Sequence, residues 1–289
     1  MNNPTISGLL NCGQRILKLS NLKDIDCILE CRILLAYLLD MDMVSFFMNL
    51  KEKVAEQTVV AFCDLLKRRI KDEPIAYLTG AKEFMSMEFD VSPACLIPRN
   101  ETELLVETVI DYIQNKNLTK PKTLEIGTGS GCISVSIAKA IPDCEIVACD
   151  ISKNALEIAY KNAKKHGVGE NIKFLQSDFY SQIPSCNFDI IVSNPPYIAY
   201  DDKMDENVRK FEPKEALWSE EEGLYATRKI LENSDNFLIK NGLLAVEINS
   251  TKAKETIELF RNNGFFEITC LQDFAGKDRV VYGKKLADK

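Results

Sequence analysis

The period of the hydrophobic positions changes near residue 100. Up to about residue 75 the apolar residues recur at helical spacing. "CILECRILLAYLLDMD" carries Ile28, Ile33, Leu34, Tyr37 and Leu38 with no glycine or proline to interrupt it. "VAEQTVVAFCDLLKRRI" repeats the pattern and closes on Lys67-Arg68-Arg69, charges suited to a helix C-terminus. Pro74 and Gly80 then punctuate, and between Gly80 and Pro98 the residues Phe84, Met87, Phe89 and Val91 mix with turn formers, which predicts a short hairpin. From about residue 101 short apolar runs alternate with amphipathic stretches. "KTLEIG" (122–127), "EIVACD" (145–150), "IKFLQSD", "FDIIVSN" and "GLLAVEI" read as strands; "CISVSIAKAI", "KNALEIAYKNAKKH", "LYATRKILENSDNFL" and "KAKETIELFRNN" read as helices. Such alternation predicts a parallel, doubly wound α/β sheet. "FFEITC" and "RVVYGKK" follow one another with no helix between them, so the last strand is expected to be antiparallel. The expected division is a helical region over 1–75, a hairpin-like connector over 76–100 and an α/β domain over 101–289.

Composition narrows the function classes. The chain has 289 residues, 46% hydrophobic and 27% charged, enough for a sizeable core. A net charge of −7 argues against tight, nonspecific binding to a phosphate backbone. The opening "MNNPTISGLL" has no basic segment followed by a long apolar one, and no apolar run reaches membrane-spanning length, so a cytoplasmic protein is expected. The ten cysteines form no C-x-x-C pair; Cys27 and Cys31 lie one helical turn apart, and Cys132 and Cys149 fall inside apolar patterns. Reduced, buried thiols are expected. His166 is the only histidine, so no metal centre is expected.

The first strand runs into "LEIGTGSGCISVSIA", with Gly127, Gly129 and Gly131 separated by Thr128 and Ser130. A glycine-rich strand-to-helix turn lets backbone approach a ligand closely. The dinucleotide fingerprint fails, because its last glycine would stand where Cys132 does, and no Gly-Lys-Ser/Thr follows for a phosphate loop. G-x-G-x-G suits a nucleoside ligand without a pyrophosphate. Asp150 ends the second strand, where a carboxylate can accept hydrogen bonds from ribose hydroxyls. Asp178-Phe179, after the third, offers an acceptor and an apolar face to a purine.

"FDIIVSNPPYIAY" presents the other half of the chemistry. Ile190-Ile191-Val192 reads as a buried strand, which Pro195 and Pro196 must end. The Asn194 side-chain oxygen and the Pro195 carbonyl can accept both hydrogens of one planar –NH2, and Tyr197 can stack on a flat group. Held so, an amide or exocyclic amino nitrogen has its lone pair aimed at an electrophile, with no strong base required.

"LEIGTGSG", "ACDIS", "SDF" and "NPPYI", in this order, resemble a class I S-adenosylmethionine-dependent methyltransferase that modifies planar nitrogens. "EPIAYLTGAKEF", "LIPRNETELLVE", "FEPKEALW", "GLLAVEI" and "FAGKDRVVYGK" narrow the likeness to the peptide chain release factor glutamine methyltransferases, the PrmC/HemK family. The resemblance implies a seven-stranded methyltransferase sheet and transfer of a methyl group to the glutamine of the Gly-Gly-Gln motif in class I release factors. It implies that Gly127, Thr128, Gly129, Ser130 and Gly131 lie against the methionine moiety, that Asp150 holds the ribose and that Asp178 and Phe179 border the adenine. Asn194, Pro195, Pro196 and Tyr197 would grip the glutamine, with Asn194 also near the cofactor. The N-terminal helices would dock the release factor, and Arg99 to Glu103 would lie close to the cofactor pocket. A monomer with no direct nucleic-acid contact is expected. Glu125 stands where many relatives carry Asp, Asn100 replaces a frequent proline, and "EINSTKAKE" departs from the usual glycine-containing stretch. An adenine-amino methyltransferase acting on nucleic acid would use the same acceptors, and a catalytically silent adaptor would keep the fold.

Overall fold

A computed structural model describes residues 3–20, 22–23, 25–184 and 187–286. It packs as two compact units, one running to Ala81 together with Glu206–Phe211, the other comprising Lys82–Asp205 and Glu212 onward.

The first unit is helical: α1 (Ile6–Lys18), α2 (Cys27–Leu39), α3 (Met43–Met48), α4 (Glu56–Arg69) and α5 (Ile75–Thr79). Thr5, Asp26 and Asp42 cap the first three, each side chain accepting from N–H groups of the opening turn. Leu17, Leu34, Leu35, Phe46, Phe62 and Leu66 share its core, where truncating a fully buried phenylalanine such as Phe62 costs about 3–5 kcal/mol. The expected face of α2 is rotated. Leu34 is buried with Cys31 and Leu35, whereas Ile28 and Tyr37 are exposed. This helix is apolar nearly all round, so spacing alone cannot choose its inward face. The basic end of α4 also serves a more specific purpose than a helix dipole. Arg69 is buried and pairs with Glu30 at 2.8 Å and Asp72 at 2.9 Å.

From Lys82 the second unit opens with most of a hairpin, β1 (Ala81–Phe84) and β2 (Met87–Asp90), turning through Met85 and Ser86 at positive φ. Then follow α6 (Glu103–Asn115), β3 (Lys122–Ile126), α7 (Cys132–Ala140), β4 (Glu145–Asp150), α8 (Lys153–Lys165), β5 (Ile172–Gln176) and β6 (Phe188–Ser193). The helix α6 was not among the expected elements. After β6 come α9 (Glu206–Phe211), which groups with the first unit, the single turn α10 (Glu220–Gly223), α11 (Tyr225–Asn233), β7 (Leu238–Glu247), α12 (Ala253–Asn262), β8 (Phe265–Gln272) and β9 (Asp278–Lys285).

The large sheet has seven strands in the order β5-β4-β3-β6-β7-β9-β8. β3 pairs in parallel with β4 and β6, while β9 inserts antiparallel between β7 and β8. The expected antiparallel last strand is thus present. β6 is apolar on both faces because both are covered: Ile190 and Val192 join one core with Leu105, Val109 and Val135, and Ile191 joins another with Leu244 and Phe260. Strand order reverses at β3 and β6, so the carboxyl ends of these two strands form the crevice where open α/β sheets bind ligands. Among the described residues Cys31, Cys95, Cys132, Cys144 and Cys149 are buried and Cys12 is exposed; Cys186 lies outside the described residues. No described helix is long and apolar enough to cross a membrane.

Candidate active site

One wall of the crevice is built by backbone. Gly127, Gly129 and Gly131 have φ of 75°, 55° and 80°, a region in which a side chain is strained. Gly127 and Thr128 both donate to the Cys149 carbonyl at 2.9 Å, which ties the loop to β4. The Gly129 N–H donates to Asp150 Oδ2 at 2.8 Å, and Asp150 Oδ1 accepts from the Ser152 N–H at 2.9 Å. Burial pushes the Asp150 carboxyl up, while these N–H groups work against that rise. A Cβ on Gly129 would meet nothing within 4 Å, so the chain leaves room there. Gly131 is different: a Cβ would stand 3.0 Å from Ala159 Cβ and 3.1 Å from its Cα, because α8 passes against the loop. Asn162, fully buried on α8, donates to the Ser130 and Asp90 carbonyls at 2.8 and 2.9 Å and so locks the loop to the hairpin.

Glu125 lies beneath this loop. Its Oε2 accepts from Thr128 Oγ1 at 2.7 Å, from the Ser134 N–H at 3.2 Å and from the Ser134 hydroxyl, while Oε1 is buried with no partner. Burial pushes its carboxyl up to about 7 against those donors. The side chain therefore fastens the loop to the start of α7.

The opposite wall is built by side chains. β6 ends at Ser193, whose hydroxyl donates to the Ile126 carbonyl at 2.7 Å and holds the two strand ends together. Asn194 Nδ2 donates to Thr102 Oγ1 at 3.2 Å, Thr102 donates to Glu247 Oε2 at 2.6 Å, and the Tyr197 hydroxyl donates to Glu247 Oε1 at 2.9 Å. Glu247 is buried at the end of β7; burial pushes its carboxyl up, opposed by the two hydroxyl donors and the charge of Arg279. Arg99 pairs with the buried Glu212, which also accepts from the Ile97 N–H at 3.1 Å.

Between the walls lies a cavity of about 690 Å³, within the range of small-molecule sites. Gly127 to Ser130, Asp150, Asp178, Phe179 and Asn194 to Pro196 all line it. The glycine loop and the Asn-Pro-Pro segment are neighbours there, since a Cβ on Gly127 would be 4.0 Å from the Asn194 carbonyl oxygen. Two of the sequence-selected residues are not in the lining. Gly131 is spent on packing against α8, and Tyr197 lines a separate cavity of about 340 Å³ with Asp202, Asn249 and Arg279. The aromatic faces of the main cavity are instead Phe179 and Tyr225, edge to face at 6.4 Å, and Tyr200 and Trp218, stacked at 5.7 Å. Phe179 has φ of 45°, rare for a bulky residue, and its carbonyl accepts from the Ser177 hydroxyl at 2.8 Å. Reading the sequence missed the hydroxyl–carboxylate chain of Thr102 and Glu247 and the Tyr200–Trp218 stack. An acid at the end of an otherwise apolar strand, and the chain's only tryptophan, were the available signals.

A seven-stranded sheet with this strand order and a glycine-loop crevice facing Asn-Pro-Pro defines a methyltransferase domain, and the methyltransferase small domain family matches residues 100–214. The PrmC N-terminal domain family matches residues 13–80. The release factor glutamine methyltransferase of Burkholderia pseudomallei is 39% identical over 262 residues, covering 89% of this chain and 91% of that one. The chain belongs to the release factor glutamine methyltransferase family. A bifunctional methyltransferase of Rickettsia typhi is 37% identical over 271 residues, covering 88% of this chain and 52% of the relative. The chain thus spans about half the length of that relative. The hMettl16 catalytic domain, solved with the MAT2A 3′UTR hairpin 6, superposes with a TM-score of 0.55 at 14% identity, over 81% of this chain and 84% of that one, a likeness of fold.

Proposed function

We propose that this protein transfers a methyl group from S-adenosylmethionine to the side-chain amide nitrogen of the glutamine in the Gly-Gly-Gln motif of class I peptide chain release factors. The observation that carries the reading is the adjacency of Gly127 and the Asn194–Pro196 segment across one cavity. A nucleoside-bearing donor is supported by the open space at Gly129, the Asp150 carboxylate on the wall and the aromatic edge of Phe179. Gly127 to Ser130 would receive the methionine moiety, with Gly131 packed against α8 behind them, Asp150 the ribose, and Asp178 and Phe179 the adenine. S-adenosylmethionine, when bound, supplies an electrophilic methyl group. Asn194 Oδ1 and the Pro195 carbonyl accept the two amide hydrogens of the glutamine and aim its nitrogen lone pair. The same acceptors stabilise the positive charge that develops on that nitrogen, whose proton leaves after transfer without a dedicated base. Residues 1–75 would dock the release factor, with 76–100 as connector and 101–289 as the catalytic domain. The net charge of −7 favours a protein over a nucleic acid as the partner. We place the activity in the cytoplasm and assign it to a monomer.

The test is to supply labelled methyl donor with a release factor, with its Gly-Gly-Gln glutamine changed to alanine, and with duplex DNA. Label is expected on the unaltered release factor alone; label on DNA, or undiminished label on the altered factor, overturns the reading. Asn194→Ala is expected to lower transfer by about 10²-fold or more with the thermal transition retained, and unchanged turnover would refute the grip.

A further inference from the structure

We infer that Thr102 and Glu247 are positioning residues that decide which way round the Asn194 amide sits. The inference rests on the proposed grip of Asn194 on a substrate –NH2. An asparagine amide is nearly symmetric in shape, yet one end accepts and the other donates. Turned the wrong way, Asn194 would offer its own –NH2 to the substrate's –NH2, and the grip would become a repulsion. Something in the fold must choose.

The choice follows from the chain of hydrogen bonds behind the residue. A carboxylate offers acceptors only, and at Glu247 each oxygen faces a hydroxyl, Thr102 at 2.6 Å and Tyr197 at 2.9 Å. Thr102 has one proton, and it is committed to Glu247. Its oxygen can then only accept, so the group 3.2 Å away must bring an N–H, which is Asn194 Nδ2. Oδ1 is left at the opposite end of the amide, on the side away from Thr102. Thr102 ends a short 3-10 turn (Asn100–Thr102) that runs directly into α6, and its hydroxyl makes no bond to the N–H groups of that helix. The hydroxyl is used instead across the sheet, and Glu247 is only 1% exposed, so water does not compete for it.

Thr102→Val keeps the shape and removes the acceptor, whereas Thr102→Ser keeps the hydroxyl. In the full chain with methyl donor bound, Thr102→Val is expected to lower kcat by about 10- to 100-fold, to leave donor affinity within about twofold by calorimetry, and to retain the thermal transition. Thr102→Ser recovers most of the loss, and Glu247→Gln repeats it, because a glutamine amide lets the threonine proton turn toward Asn194. Selective ¹⁵N-asparagine labelling reads the orientation directly. The Asn194 side-chain resonance should report one hydrogen-bonded proton in wild type and Thr102→Ser, lost in Thr102→Val. Wild-type kcat in Thr102→Val, or an Asn194 resonance that Thr102→Val leaves unmoved, would overturn the inference. A wild-type protein that labels no release factor would sink the proposed function instead, while the resonance still decides the orientation.

Discussion

The two walls of the cavity are held by opposite means. Around Gly127 to Gly131 the chain uses backbone: three left-handed glycines, two N–H groups on the Cys149 carbonyl, and Asp150 gripping Gly129 and Ser152. Around Asn194 it uses side chains drawn from α6, β6 and β7, passing hydrogen bonds from Glu247 through Thr102. The first wall is rigid because few residues can adopt its conformation, and the second because each donor has one acceptor. The contrast implies that steric changes should damage the first wall and isosteric polar changes the second.

The largest effect is expected at Gly131. Valine there must adopt φ near 80° and drive its side chain into α8, where even a Cβ meets Ala159 at 3.0 Å. Left-handed strain and overpacking together should cost about 3 kcal/mol or more, read as a large fall in the denaturation midpoint. Gly129→Ala meets no neighbour, so it should cost only about 1–2 kcal/mol while weakening donor binding. Equal destabilisation by the two would break the assignment of Gly131 to packing. Next comes Asp150→Ala, which releases the Gly129 N–H and removes the proposed ribose acceptor. Donor affinity should fall about 10-fold or more, the value of one or two charge-assisted hydrogen bonds, whereas Asn194→Ala should lower that affinity less than it lowers transfer. Calorimetry on both variants sharpens the comparison, and matched losses would erase it.

What could be read in advance divides along the same line. The glycine loop, its strand and the acid of the next strand are local: a left-handed turn writes glycines into consecutive alternate positions, and β4 ends on its aspartate. The Asn-Pro-Pro segment is local too, since prolines stop β6 where the crevice begins. The pairing of Thr102 with Glu247 is illegible because it is a contact between residues far apart in the chain, although the acid ending its strand is a visible signal. The position of Tyr197 after two prolines suggests a stacking face, but its hydroxyl reaches Glu247 and the residue lines the second cavity. On α2 the helical period was visible and its phase was not, for a helix apolar on every side carries no phase.

Glu125 probes the first wall from beneath. Its folded carboxyl is raised to about 7 from an ordinary 4.5, so between those values the folded protein keeps a proton that the unfolded chain releases. Stability from this group is therefore full below about pH 4.5 and is lost as the pH rises through about 7. The swing across that window is on the order of 3 kcal/mol. Glu125→Gln preserves an acceptor for Thr128 and Ser134 and places an amide where Oε1 has no partner. Urea denaturation at a series of pH values should show a flatter profile in the variant, with its relative stability improving toward high pH. An unchanged profile would mean that the buried carboxyl does not titrate between the two states.

The smallest effect, and the one that separates two roles for a single residue, is expected from Tyr197→Phe. The ring is kept, so any stacking face is kept, and only the hydroxyl that donates to Glu247 Oε1 is removed. Glu247 then holds a buried acceptor without its donor, which should cost about 1–2 kcal/mol of stability. Thr102 retains its own bond to Oε2, so the orientation of Asn194 survives and turnover should fall less than about fivefold, under 1 kcal/mol of transition-state stabilisation. Tyr197→Leu, which removes the ring as well, extends the test. If stacking on the substrate is what the residue does, leucine should cost far more turnover than phenylalanine. If bracing Glu247 from behind the wall is what it does, both should lower stability and leave transfer largely intact, which is the outcome its place in the second cavity favours.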